Sequence, residues 1–366
     1  MAHRLFLAAA DCVKTVIGRR IMEFFGNRVL TSLTGGGLLA AALAIFAVGL
    51  VIIIKGGNWF VDAASWFAKK TGIPSFVIGA TIVSIATTLP ELLVSVRAAS
   101  NGSTEMAIGN AIGSVTCNTM LVMGISLCVT AGFVDRKSYA IKGLLFVAST
   151  VLLLVFCLGG SLPVWTAAIF WAILIGFMGY NVYEGKKASA IANTSAATED
   201  KEKTKPEGSV GKNIVFFIIG AAGIVLGAEM LVGGGTTIAR EMNISESIIG
   251  FTVIALGTSL PELVTMITAL RKKDASITVG NIVGANVIDM TLILPLCTVI
   301  SGRPLPVEHI NLVLDFPIAV AASVIAVIPT IIKGRFRRWQ GFVLVALYAA
   351  YMVILVLNET NASMFG

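Results

Sequence analysis

The stretch Gly79–Leu92, GATIVSIATTLPEL, recurs 171 positions later as GFTVIALGTSLPEL, from Gly250 to Leu263. The copies stay in register without a gap through Gly109-Asn110 and Gly280-Asn281, Gly113 and Gly284, and Asn118 and Asp289. The same offset pairs Gly49 with Gly220, Gly56 with Gly227, Val61 with Val232 and Ile73 with Ile244. Duplication over that length implies two copies of one folding unit. Each copy sets a proline and a glutamate inside an apolar run long enough to cross a bilayer. An ionised side chain at that depth costs about 3 kcal/mol or more, so it persists where it has a partner or a task.

Only 13 % of residues are charged and 56 % are apolar, whereas a soluble domain carries roughly 25 % charged residues. The apolar residues fall in runs of about 20 separated by short charged breaks. The spacing predicts an all-α integral membrane protein with ten spans, near 38–67, 74–99, 105–130, 141–159, 163–183, 213–239, 246–270, 275–300, 309–332 and 339–358. No period-2 alternation of the kind a β-barrel needs is present. The five cysteines form no paired motif and are assigned to packing. His3 and His309 lie far apart, which argues against a His-based zinc or copper site.

Basic residues sort the connections between spans. The odd-numbered ones hold 18, including Lys69, Lys70, Arg136, Lys137, Lys142, six lysines from Lys186 to Lys212, Arg271 to Lys273, and Lys333 to Arg338. The even-numbered ones hold only Arg97, Arg240 and Arg303. This bias places the odd connections in the cytoplasm and the C-terminus outside, and it accounts for the net charge of +7 without nucleic acid. Five spans per repeat is an odd number, so the second copy enters the membrane from the opposite side. The expected architecture is therefore ten transmembrane helices as two inverted-topology five-helix repeats, 38–183 and 213–366. Residues 1–37 form a basic N-terminal extension, read as a surface amphipathic helix or as sequence preceding a start at Met22. Residues 184–212, rich in Lys, Glu, Ser, Thr and Ala, are expected to be a loosely ordered cytoplasmic linker. Lys55, within the first span, is expected to neutralise Asp62 or to snorkel to an interface.

Pro90 and Pro261 lack a backbone N–H, which leaves the carbonyls of Ala86 and Gly257 without helical partners. Thr87 and Thr88 precede Glu91 by four and three residues, as Thr258 and Ser259 precede Glu262, so helical spacing brings these hydroxyls to the carboxylate's side. Asn110, Ser114 and Asn118 step by four, as do Asn281, Ala285 and Asp289, and each series makes a stripe along one helix face. The resulting set is all oxygen, suited to Ca²⁺ or Na⁺ rather than softer metals. Gly109/Gly113 and Gly280/Gly284 are GxxxG pairs expected to bring helices into close contact. No catalytic constellation is evident, so the chain is read as a transport protein, not an enzyme. Duplicated halves around a central site favour alternating access over a channel's open pore.

These two motifs, with GTSLPEL at 257–263 and ATTLPEL at 86–92, resemble the alpha-repeats of the sodium/calcium exchanger family, within the cation/calcium antiporter superfamily. The resemblance spans the chain from about residue 38. It implies exchange of Ca²⁺ for Na⁺ across the membrane at a midplane site; separately, no cofactor is expected and the protein is expected to work as a monomer. It also implies Glu91 and Glu262 as central calcium ligands. Further contacts would come from Thr87, Thr88, Ser114, Asn118, Thr258, Ser259 and Asp289, and from the carbonyls of Ser84 and Ala255. Ala285 departs from the family pattern, which often has a serine there, and would weaken or remove one sodium site. The Gly-Asn-Ala-x-Glu motif of the proton-coupled branch is absent, which favours sodium over proton coupling.

Overall fold

The computed structural model describes residues 36–100, 102, 104–130, 132, 134–198, 208–242, 257 and 259–360. The expected basic extension lies outside the described residues, apart from its last two positions. In chain order the elements are α1 (Gly36–Thr71), α2 (Ser75–Thr87) and α3 (Leu89–Ser100). Next come α4, built of Thr104–Thr116, Cys117–Met123 and Gly124–Val129, then α5 (Arg136–Cys157), β1 (Ser161–Leu162) and α6 (Thr166–Thr198). The second half holds α7 (Val210–Glu241), α8 (Leu260–Arg271), α9 (Ala275–Ser301), β2 (Leu305–Pro306), α10 (Asn311–Lys333) and α11 (Arg338–Thr360).

Among the described residues eight helices are long and apolar enough to cross a membrane, and α2 with α3, bent by 41° at their junction, make a ninth. The expected span near 246–270 is described only at Gly257 and from Ser259 onward. The bundle has a definite inside. In α9 83 % of the most apolar window is buried, and in α4 72 %, against 17 % in α1, so α4 and α9 form the centre and α1 lies at the rim. Ile175, Ile218 and Phe342 are among the apolar side chains left outward, as a lipid-facing surface requires.

Glycine lets the helices approach. Gly49 and Gly56 of α1 face Gly227 and Gly220 of α7, and a Cβ at Gly220 would lie 2.8 Å from the Gly56 carbonyl oxygen. These four are the repeat-paired glycines, so the duplicated positions meet across the two halves. Gly280 and Gly284 of α9 do the same against α2. A Cβ at Gly280 would strike the Phe76 carbonyl, and one at Gly284 would lie 2.5 Å from Ser84 Oγ. Nothing described lies within 4 Å of a Cβ at Gly109 or Gly113. The segment that repeat symmetry assigns to them, near 246–255, is outside the described residues.

Connections meet their own parity. The even connections join through β1 and β2, where Ser161 pairs with Pro306 and Leu162 with Leu305, and Arg303 donates to the Gly102 carbonyl at 3.4 Å. Odd connections join where the Phe336 N–H donates to the Gly132 carbonyl (2.9 Å) and Ser75 Oγ to Asp274 Oδ2 (3.0 Å). Chain segments that alternate between two ends of a bundle produce this sorting.

Three local expectations change. Asp62 pairs with Lys272 (2.6 Å), which also donates to the Asn58 carbonyl (2.8 Å), while Lys55 is exposed on α1. The reach across from α8 is shorter than the seven-residue climb along α1. Lys142, counted among loop residues, is fully buried within α5 and paired with Glu184 at 2.6 Å, its ammonium 4.4 Å from the Phe76 ring centroid. Helix α6 runs on to Thr198, well into the segment expected to be loosely ordered, where alanine-rich sequence favours helix.

Candidate functional site

The second span is broken at Thr88, with φ −84° and ψ 3°, and α8 starts directly after the repeat-equivalent Ser259, with φ −88° and ψ 5°. Pro90 and Pro261 follow in the first turn of α3 and α8, where a missing N–H costs nothing and the fixed φ suits a helix start. Each proline thus stands at the start of a helix, and Pro90 follows the break in the second span instead of kinking a continuous helix. Glu91 and Glu262 therefore stand in first turns, at the ends where unpaired N–H groups and the helix dipole favour negative charge.

Both carboxylates are fully buried, as is that of Asp289, and none of their six oxygens has a hydrogen-bond partner. Glu91 is within electrostatic reach of Glu262 and Asp289, and Asp289 of Glu262. The amide of Asn118 is likewise buried with neither atom bonded. Ser114, Thr87, Thr88 and Ser259 are buried in the same region. Unbonded carboxylate and amide oxygens at membrane depth are costly, and a bound cation or, for a carboxylate, a proton can offset them. Among the described residues no three acidic, Cys or His side chains converge tightly enough to hold one ion between them. The acids ring a site, and neutral oxygens must complete any shell.

The surrounding bonds are structural. Thr87 Oγ1 donates to Asn281 Oδ1 (3.0 Å) and also lies beside Glu262, joining the two halves. Asn110 Nδ2 donates to Ser95 Oγ (2.9 Å) and the Glu91 carbonyl (3.3 Å), pinning the turn that carries the carboxylate. The Ser84 carbonyl accepts from the Thr88 N–H (3.0 Å) and Thr88 Oγ1 (2.7 Å), so in this conformation it closes the end of α2. Thr258 and Ala255 lie outside the described residues. Ala285 is fully buried and offers no side-chain oxygen where the first repeat has Ser114.

Asn118 and Asp289 sit in π-helical stretches, Cys117–Met123 and Asp289–Ile293, that begin within one residue of equivalent positions. A π-turn inserts one residue into a helix and re-aims the side chains around it, and such turns cluster at functional sites. Repeat matching could not find Asn286, whose Nδ2 donates to Thr119 Oγ1 (2.8 Å), because its counterpart is Val115. Nor did it mark Cys117, which lies beside Tyr348 and within electrostatic reach of Glu91 and Glu262. A cavity of about 460 Å³ opens at the odd-connection end, lined by Ser75, Asp135, Ser138, Glu184 and Ser276 among others. Phe76 and Val279 also line it, and next to them α2 and α9 close together at Gly79 and Gly280.

The sequence matches the family described as sodium/calcium exchanger protein over residues 41–183 and 212–357. The chain belongs to that family. It is similar to the sodium/calcium exchanger MaX1 of Methanosarcina acetivorans, 30 % identical over 87 % of this chain and 99 % of that protein. An uncharacterized membrane protein of Methanocaldococcus jannaschii is 32 % identical, over 85 % and 97 %. Among solved structures, the sodium-calcium exchanger NCX_Mj soaked with 2.5 mM Na⁺ and 10 mM Sr²⁺ superposes with a TM-score of 0.74 at 29 % identity, over 86 % of this chain and 99 % of that one. As a sodium/calcium exchanger family member the protein is a multi-span membrane transporter, not an enzyme.

Proposed function

We propose that the protein is a secondary antiporter that exchanges Ca²⁺ for Na⁺ by alternating access, through one site between two inverted five-helix repeats. The observation that carries this reading is the trio of fully buried, unbonded carboxylates, Glu91, Glu262 and Asp289, on repeat-related helices. Ca²⁺ would lie between Glu91 and Glu262, with Thr87, Thr88, Ser114, Asn118, Thr258, Ser259 and the Ser84 and Ala255 carbonyls shared among the calcium and sodium positions. Hard oxygen donors of mixed charge suit both ions. Ala285 removes one neutral donor from the α9 side.

Three Na⁺ neutralise three carboxylates, whereas one Ca²⁺ leaves one negative charge. Asp289 carries a proton in the calcium-bound state on this reading, which its repeat partner Asn118 mimics permanently. The sorting of connections by parity and the 17-to-3 split of basic residues that remains once Lys142 is placed inside α5 support cytoplasmic odd connections, including 184–212, and an outer C-terminus. No partner chain is needed to complete the site, and the monomer is the working unit.

The test is ⁴⁵Ca²⁺ uptake into proteoliposomes with Na⁺, K⁺ and H⁺ gradients imposed separately. Uptake should follow the sodium gradient. Uptake driven by the pH gradient alone would assign the protein to proton-coupled exchange, and single-channel currents would make it a channel.

A further inference from the structure

The two stripes carry a neutral oxygen one residue out of step. Between the shared Asn110 and Asn281 and the Asn118 and Asp289 positions, the first repeat reads Ser114-Val115 and the second Ala285-Asn286. Hydroxyl then hydrocarbon becomes hydrocarbon then amide. Asn286 is fully buried, and its Oδ1 has no hydrogen-bond partner. The bonding around it fixes which end of the amide is free. Thr119 Oγ1 donates its one proton to the Val115 carbonyl (2.7 Å), so it meets the amide only as an acceptor, 2.8 Å from Nδ2. The NH₂ group must therefore face Thr119, and the carbonyl oxygen is the atom left over.

Asn286 precedes Asp289 by three residues, which sets the two on one side of α9. Its bond to Thr119 brings it to α4 one residue from Asn118, where the π-helical stretch of α4 packs on α9. Asp289 and Asn118 are themselves fully buried and unbonded. An amide kept only to tie α9 to α4 would use its NH₂ and leave a buried carbonyl as a net cost.

We propose that Asn286 Oδ1 is a sodium ligand, which holds Na⁺ against the Asp289 carboxylate and returns to α9 the neutral oxygen that Ala285 lacks. The proposal rests on reading the buried carboxylates as the exchange site. Na⁺ is a hard ion of single charge, suited to one carboxylate with neutral carbonyl oxygens around it. On that reading Ca²⁺ lies between Glu91 and Glu262 while Asp289 carries a proton, so the calcium-loaded state does not use Asn286. The residue thus sets sodium affinity more than calcium affinity. Thr119 is a positioning residue that fixes the orientation of the amide.

The test uses the purified full-length protein in detergent. Thermal unfolding is followed as Na⁺ replaces choline at constant ionic strength and, separately, as Ca²⁺ is added, because stabilisation by an ion reports its affinity. In Asn286→Val, which takes the side chain of the matching position Val115, the half-saturating Na⁺ should rise by at least roughly tenfold, the lower end for losing even a supporting group at a metal site. The half-saturating Ca²⁺ should not rise in proportion. Ala285→Ser, added to Asn286→Val, should bring the Na⁺ value back toward wild type by supplying an oxygen one residue away. Thr119→Val breaks the same interhelix bond but keeps Oδ1, and should weaken Na⁺ binding less than Asn286→Val. An unchanged Na⁺ value in Asn286→Val, parallel losses for Na⁺ and Ca²⁺, no recovery with Ala285→Ser, or an equal loss in Thr119→Val overturns the proposal. Should Asn286→Val fail to fold, Asn286→Ala is judged by the same criteria. A wild type stabilised by Na⁺ but not by Ca²⁺ would refute calcium exchange, while the Na⁺ titrations of the variants still decide the ligand.

Discussion

Gly284→Ala asks whether the crossing of α2 and α9 sets the geometry of the site. The added Cβ would stand 2.5 Å from Ser84 Oγ, 2.8 Å from the Ala80 carbonyl oxygen and 2.8 Å from Ser84 Cβ. Carbon contacts settle near 3.5 Å or beyond, so the two helices must part by about 0.7 Å. Only the hydroxyl can turn away, because the carbonyl and the Cβ move with the backbone. Overpacking of this kind costs about 1–3 kcal/mol. The same displacement draws Ser84 and Thr87 off α9 and strains the Thr87 bond to Asn281, so Ca²⁺ affinity should fall together with stability. Gly143→Ala is the control. Its Cβ would lie 2.7 Å from Val327 Cγ1, on the α5–α10 contact, so it should lose stability without losing Ca²⁺ affinity. Thermal unfolding in detergent with and without Ca²⁺ separates the two effects, since the calcium-induced shift reports binding. Wild-type unfolding and a wild-type calcium shift in Gly284→Ala would refute the reasoning, as would an equal loss of the shift in Gly143→Ala.

Glu91→Gln and Glu262→Gln should each abolish calcium exchange while unfolding remains cooperative, because an amide supplies no charge. Normal flux in either removes the core of the assignment. Asp289→Asn should keep calcium binding and alter sodium coupling, and complete loss of calcium binding would make Asp289 an obligate charged ligand. Single cysteines at Lys186 and Lys272, in a chain otherwise free of cysteine, should be labelled from the side opposite to one at Gly160. Labelling from a common side would contradict the inverted halves. Tyr351→Phe removes the hydroxyl that donates to Asp315 Oδ1 (2.9 Å), while Asn311 Nδ2 holds the other oxygen (2.6 Å). It should destabilise the protein by about 1.5–3 kcal/mol, the range for a bond to a charged group, and an unchanged unfolding temperature would show the bond to be idle.

Helix positions were legible because a membrane span must be apolar along its whole length, and the ends of α1, α4, α9 and α11 fall close to the limits of the runs. The acids were legible because Glu91 and Glu262 are duplicated and out of place in such runs. What lay between was not. The break at Thr88 and the start of α8 after Ser259 fall two residues before the prolines, since the proline sets the start of its helix and the preceding residues absorb the turn. The π-turns carrying Asn118 and Asp289 left no mark, because one inserted residue barely changes the periodicity of a nearly uniform apolar helix. Lys142 was misplaced despite a readable signal. Asp135 caps α5, its Oδ1 accepting from the N–H groups of Lys137 and Ser138, and a cap there puts Lys142 almost two turns inside the helix.

The duplication is strictest at the starts of α3 and α8 and loosest along the stripes, and that division bears on how exchange would be coupled. Glu91 and Glu262, with Thr88 and Ser259 before them, keep the same chemistry at the same offset. Along α4 and α9 the repeat-matched pairs diverge, with Ser114 matched to Ala285, Cys117 to Ile288 and Asn118 to Asp289. Past the shared Asn110 and Asn281, α4 therefore carries neutral oxygens at Ser114 and Asn118, whereas α9 carries Ala285 and the charge of Asp289. In the proposed exchange a divalent ion between the paired glutamates would be balanced by them, and the third charge belongs to α9 alone. Whatever neutralises Asp289, a sodium ion or a proton, then differs between the two loaded states. An exchanger built from two identical halves would have no such place to tell one cargo from the other, and here the unequal stripe provides it.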